Sequence, residues 1–214
     1  MTALFTVDFE NNKLYDPGAK GFDFIACSGG TMEVTAGSKY EGTYGCEISP
    51  LVNYRCAGAK RVNSLTRFRQ AFYFHPHGIT IPTTKYFTLA REYHNDTTIV
   101  IYTIYLVYTT ALGYQIEIGI ADNTGLLTTY SADYVLPSQN DWNLIETDWY
   151  AGAGGTGFFS LWIDGTFKRT LNATNDALRI MYPSIGGYYA SGTISGSYYM
   201  DYWRANDTGD VIGA

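Results

Sequence analysis

Apolar and polar side chains alternate with a period of two along this chain, and no window of eleven or more residues carries the 3.6-residue apolar stripe of a helix. Thr66, Phe68, Gln70, Phe72 and Phe74 point one way, while Arg67, Arg69, Ala71, Tyr73 and His75 point the other. Tyr114, Ile116, Ile118 and Ile120 alternate with Gln115, Glu117, Gly119 and Ala121. Turn signals separate such runs: Asp16-Pro17-Gly18, Ser28-Gly29-Gly30, Asp122 to Gly125, Asp164-Gly165 and Gly186-Gly187. Asp164-Gly165, between Trp162-Ile163 and Phe167, is the strongest hairpin signal, because a two-residue hairpin turn needs two positive-φ residues. The pattern predicts about a dozen strands, one helical turn near Asn175–Leu178, and an all-β, two-sheet antiparallel sandwich.

No Pro, Ser or charge run interrupts residues 1–214, so a single domain is expected. A chain of this length buries roughly 70% of its unfolded surface and needs no metal or disulfide to own a core. Charged residues make up 16% of the chain, against ~25% in ordinary soluble domains, while 20 Tyr, 11 Phe and 4 Trp stand beside 23 Gly. That load excludes a disordered tail and a coiled coil. The pI near 4.9 argues against nucleic acid, whose phosphates demand a basic footprint. The most apolar stretch, Thr97 to Tyr108, is far short of the ~20 residues of a membrane span. The opening residues Met1 to Asp8 do not read as a secretory signal. Cys27, Cys46 and Cys56 lack C-x-x-C spacing and read as three free thiols, with one disulfide plus one free thiol as the alternative. The N-x-T sequons at Asn95, Asn172 and Asn206 carry little weight. Ile99 to Tyr108 is apolar on both faces; it is either central and covered twice, or it shows an aromatic face to a partner or ligand.

The order of several motifs is informative. Val7-Asp8-Phe9-Glu10, then Gly42-Thr43-Tyr44-Gly45 and Phe72-Tyr73-Phe74-His75 open the series. Trp142 to Glu146, Leu161 to Gly165, Tyr199 to Trp203 and Ile212-Gly213 complete it. The chain resembles the LamG-like branch of the concanavalin A-like lectin/glucanase superfamily from Phe5 to Gly213. The resemblance implies a jelly roll with one concave sheet. Such folds include glycan-binding modules, glycan-cleaving enzymes, adhesion domains and viral structural proteins, so fold does not decide function. It also implies a structural calcium where the first and last strands meet, with Asp8, Glu10 and Asp201 as its carriers and no other cofactor required.

Glucanases of this kind carry an E-x-D-x-E strand, with two carboxyls ~5–5.5 Å apart in a retaining mechanism. Here Glu146-Thr147-Asp148-Trp149-Tyr150 places Tyr150 where the second glutamate would stand. Gln115-Ile116-Glu117 supplies one carboxylate, and Glu117 would have to face Glu146 across adjacent strands. Charged residues favour the surface, so Glu117, Glu146 and Asp148 read as solvent-facing structural carboxylates. His75, His77 and His94 form no recognisable triad, and G-x-S-x-G, H-E-x-x-H and G-x-G-x-x-G are absent. The expectation is a non-catalytic chain, with a glucanase- or polysaccharide-lyase-like enzyme as the alternative. Exposed tyrosines suit sugar rings, which present apolar C–H patches between hydroxyls. Tyr150, Tyr188 and Tyr189 are the leading glycan-contact candidates, with Tyr86, Tyr93, Tyr130 and Tyr198 also available; packing or subunit contact is the competing use.

Charge is segregated along the chain. No Lys or Arg falls between Arg91 and Lys168, where acids from Glu92 to Asp164 accumulate, whereas Arg55, Lys60, Arg61, Arg67 and Arg69 cluster upstream. This reads either as solvated strand edges on different faces or as complementary patches that steer identical subunits together. With no visible secretory signal, the sequence points to a virion surface or extracellular setting: a head-decoration or tail-associated protein of a bacterial virus, contacting other virion proteins and glycan.

Overall fold

The computed structural model describes residues 3–17, 21–50, 56–94, 99–187 and 193–212, which form sixteen strands and one short 3-10 turn, Ala36–Ser38. The first sheet runs β14 (Thr166–Ala173), β13 (Gly157–Ile163), β12 (Asn143–Tyr150), β6 (Arg67–His75), β16 (Tyr198–Asn206), β4 (Gly45–Pro50) and β3 (Gly30–Thr35), with β1 (Phe5–Val7) also on β16. The second runs β10 (Leu127–Tyr130), β9 (Gly113–Ala121), β8 (Ile99–Thr109), β7 (Lys85–His94), β15 (Ser184–Gly187), β5 (Cys56–Ala59) and β2 (Phe24–Cys27), with β11 (Tyr134–Val135) on β9. All these strand pairs are antiparallel. The expected two-sheet sandwich is therefore what the chain forms. No helix among the described residues is long and apolar enough to cross a membrane.

The alternation explains how the sheets meet. On β6, Phe68, Phe72 and Phe74 are fully buried and face the second sheet, while Arg67, Arg69 and Tyr73 face outward. Trp149, Phe159 and Trp203 join them from the first sheet, and Tyr102, Ile104, Leu106, Ile116 and Ile118 from the second. Each fully buried Phe contributes roughly 1.5–3 kcal/mol of transfer free energy. A polar chain bridges the layers: Trp203 Nε1 donates to Gln70 Oε1 (2.7 Å), and Gln70 Nε2 donates to the Tyr102 hydroxyl (2.9 Å). Asp164 (φ 49°) and Gly165 (φ 72°) make the predicted two-residue turn between β13 and β14.

Two readings change. Asn175–Leu178 is a single turn closed by the Leu178 N–H on the Asn175 carbonyl (3.0 Å), not a helical one. The cysteines are not three free thiols: Cys27 and Cys56 stand directly opposite on β2 and β5 and form a disulfide, leaving Cys46 buried and free. Sequence distance hid that pairing, since 29 positions separate the partners.

Candidate functional site

Antiparallel register assembles a tyrosine-walled hollow on the outer face of the second sheet. Tyr105 on β8 lies opposite Glu117 on β9, and Tyr86 on β7 lies one pair along, opposite Val107. On the far side Tyr130 of β10 pairs with Gly119. A Cβ at Gly119 would meet the Tyr130 ring at 2.8 Å, so the missing side chain is what lets that ring lie over the strand. The hollow encloses about 240 Å³ between Tyr86, Tyr105, Glu117 and Tyr130. The Tyr86 and Tyr105 rings meet edge to face at 4.8 Å, and the Tyr105 and Tyr130 centroids are 6.4 Å apart.

Its electrostatics favour held protons. Burial, then the charge of Asp133 and a hydrogen bond to it, push Glu117 up to about 7. The Tyr105 and Tyr130 phenols are raised chiefly by burial, so both are protonated at neutral pH. Arg91, opposite Thr103 one row further along the same face, draws both phenols back down. Its Nε is buried with no hydrogen-bond partner among the described residues. The hollow thus combines one carboxyl poised near neutrality, phenol donors and a cation at its rim. Sequence reasoning singled out Glu117, Tyr86 and Tyr130 but missed Tyr105, Arg91 and Asp133. The alternation of β8 and β9 carried the signal for Tyr105; Asp133 lies in a segment without periodicity.

The other candidate carboxylates are elsewhere. Glu146 and Asp148 lie on the outer face of the first sheet, on β12, so they cannot face Glu117 across a groove. They are not solvent-facing either: both are buried, and Arg69 Nε donates to Glu146 Oε1 while Arg67 Nη2 donates to Asp148 Oδ2, each at 2.8 Å. The backbone N–H of Ile212 also donates to Glu146 Oε1 (3.0 Å), and Arg69 Nη1 donates to the Gly209 carbonyl (3.1 Å). Two of the segregated acids are therefore met by two of the clustered bases within the chain. Arg67 and Arg69 are matched by Asp148 and Glu146, and Lys60 by Asp23 (2.8 Å).

Asp8 and Glu10 follow β1, which pairs with β16 where Asp201 lies, and the Glu10 and Asp201 oxygens serve backbone amides. Glu10 accepts from the N–H groups of Thr43 (2.9 Å) and Tyr44 (3.1 Å), and Asp201 from those of Tyr40 (2.9 Å) and Tyr202 (2.8 Å). Gly42 (φ 72°) makes room, since a Cβ there would fall 2.4 Å from the Glu10 carboxylate. Burial raises Asp201 to about 7. Among the described residues no group of three or more His, Cys, Asp or Glu side chains is placed to hold a metal ion. The corner as built does not fit calcium. Tyr150 is exposed on the first sheet, its ring 5.6 Å from Phe158, far from the Glu117 hollow in the fold; Tyr188 and Tyr189 lie outside the described residues.

No family model and no curated protein matches this chain. Solved structures do. An endo-β-1,4-glucuronan lyase from the fungus Trichoderma reesei superposes with TM-score 0.69 at 14% identity, covering 97% of this chain and 96% of that one. The cellulose-induced protein Cip1 gives 0.66 at 12% identity, covering 98% and 100%. The alginate lyase Aly36B gives 0.59 at 16% identity, covering 95% and 96%, and a variant of it has been solved with an alginate trisaccharide. These likenesses overturn the expectation of a non-catalytic chain: two of the three are lyases, each matched over 96% of its length. The chain has the concanavalin A-like jelly-roll fold, a fold shared by polysaccharide lyases and carbohydrate-binding proteins.

Proposed function

We propose that this chain binds an acidic polysaccharide across the outer face of the second sheet and cleaves it by β-elimination. The observation that carries the reading is Glu117, which keeps its proton up to about pH 7 inside a tyrosine-walled hollow. A general base works best when its pKa lies near the operating pH. Hydrolysis suits the site less well. Glu117 and Asp133 are hydrogen-bonded to each other, whereas a retaining pair stands ~5–5.5 Å apart. Two carboxyls that close share one proton.

Elimination needs only one base. Deprotonated Glu117 takes the proton from the carbon beside the uronate carboxyl. The electron pair left behind forms the carbon–carbon double bond as the bond to the glycosidic oxygen breaks. That oxygen takes a proton from a phenol, with Tyr105 standing directly across the strand pair from Glu117. Arg91 supplies positive charge for the uronate carboxyl, where negative charge builds up in the transition state. The tyrosine rings provide flat contact area at little entropic cost. The expected virion-surface or extracellular setting belongs to the same proposal: a disulfide such as Cys27–Cys56 persists outside the reducing cytosol, and acidic glycans coat many cells. Finding the chain in purified virus particles would test the virion part.

The test is incubation with polyglucuronate, alginate and polygalacturonate, following the ultraviolet absorbance of the conjugated double bond. Wild type should generate that signal on at least one polymer, and Glu117→Gln should lower its rate by about 10² or more. No absorbance on any polymer, or full activity in Glu117→Gln, would sink the proposal.

A further inference from the structure

The first sheet carries a larger cavity that the proposed reaction leaves idle. It holds about 460 Å³ between Tyr40, Arg69, Tyr73, Leu144, Glu146, Trp162, Asp164 and Val211, on the face opposite the Glu117 hollow. We propose that this cavity is a second glycan site, specific for a neutral pyranose unit and independent of the Glu117 hollow.

Its walls are flat rings held in place before any ligand arrives. Tyr40 stacks on Tyr73 with centroids 3.5 Å apart and planes 13° apart, and its backbone N–H is fixed on Asp201 (2.9 Å). Trp162 lies beneath the Arg69 guanidinium, 4.5 Å from ring centroid to Cζ. Rigid rings lose little freedom on binding, which lowers the ordering part of the cost of association. Leu144 and Val211 complete an apolar lining for the C–H face of a sugar, and Asp164 and Glu146 offer acceptors to its hydroxyls. The aromatic surface continues past the mouth, where Trp142 meets Tyr40 edge to face at 5.7 Å and approaches His75 at 5.4 Å.

Charge sets the ligand class. Arg69, the one cation among the described residues of the lining, is already matched by Glu146 at 2.8 Å and faces Asp148 at 3.8 Å. With Asp164 also in the wall, the cavity carries excess negative charge, and a uronate would meet like charge in a partly desolvated place. A neutral pyranose meets none. The two faces then divide the work: one grips neutral stretches of a glycan while the other acts on acidic ones.

The experiment is titration of the wild-type chain with cellohexaose, maltohexaose and laminarihexaose, by calorimetry and by tryptophan fluorescence, with trigalacturonate as the charged competitor. At least one neutral hexaose should bind and perturb the fluorescence, and trigalacturonate should not displace it. Tyr40→Ala and Trp162→Ala should each weaken binding by about tenfold or more. Glu117→Gln should leave it unchanged, which separates this site from the proposed reaction. Should Trp162→Ala fail to fold, Tyr40→Ala, a change at an exposed residue, decides alone. Absence of binding by all three hexaoses, equal affinity in Tyr40→Ala, or loss of binding in Glu117→Gln would overturn the proposal.

Discussion

At the scale of single residues, the chemistry depends on Glu117 having Asp133 as a neighbour. Burial alone would raise a carboxyl; a second carboxyl within hydrogen-bonding distance raises it further, because the two cannot both ionise cheaply. Asp133→Asn removes the like charge while keeping a group that can hydrogen-bond. The Glu117 titration, followed by carbon NMR of its carboxyl, should then move from near 7 toward ordinary glutamate values. If Glu117 is the base, the acid limb of any pH–rate profile should move to lower pH with it, since the deprotonated form becomes available sooner. A midpoint that stays near 7 in Asp133→Asn would assign the shift to burial alone. Sequence could not have paired these residues. Glu117 sits on a strand whose alternation fixes its face, but Asp133 reaches it from an irregular segment between β10 and β11, where no periodicity reports direction.

At the scale of elements, what could be read in advance was what period two encodes. The long strands β6, β8, β9, β12 and β13 and the Asp164-Gly165 turn follow directly from their side-chain patterns. The short strands β2, β5, β10, β11 and β15, of two to four residues, offer too few positions for alternation to show. Two of them, β2 and β5, are tied by Cys27–Cys56, at the edge of the second sheet away from the Glu117 hollow. Closing a loop of 29 positions restricts the unfolded chain by about 3–4 kcal/mol in the chain-entropy treatment. Replacing both cysteines by serine should therefore lower the melting temperature by roughly 6–16 °C for a domain of this size. Because the staple is remote from the hollow, ligand binding below the melting transition should persist. An unchanged melting temperature would show that the thiols are not joined. Strand position likewise explains why the burial of Arg69 was not legible in the sequence: alternation correctly turned it outward, but residues 207–212 cross that face and bury it against Glu146.

For the whole molecule, buried carboxyls set how stability follows pH. Glu117 and Asp201 are each raised to about 7, and Glu92, fully buried with its Oε2 on the Ser184 N–H (2.9 Å), is raised well above its ordinary value by burial. Each binds a proton more tightly folded than unfolded. Their contribution to stability is complete below the unfolded values near 4 and is lost as pH climbs through the folded ones. His75 works in the opposite sense, because burial and the neighbouring His77 lower it, but it is one group against three. The melting temperature should therefore fall between pH 5 and pH 8 at constant ionic strength, the reverse of the usual behaviour of salt-bridged carboxylates. Glu92→Gln isolates one share of the effect. The amide oxygen still accepts from Ser184, and its NH₂ can donate toward Tyr102, while no charge need be buried. That variant should be more stable than wild type at pH 8, by on the order of 1 kcal/mol or about 2–4 °C, and should show a shallower pH dependence. At pH 4 the two proteins should melt together, since Glu92 is then protonated whether folded or not. A melting temperature that rises steadily from pH 5 to pH 8, or a Glu92→Gln variant less stable than wild type at pH 8, would mean that these carboxyls ionise in the folded chain without penalty. Glu117 would then titrate like an ordinary glutamate, well below the pH at which a general base works best.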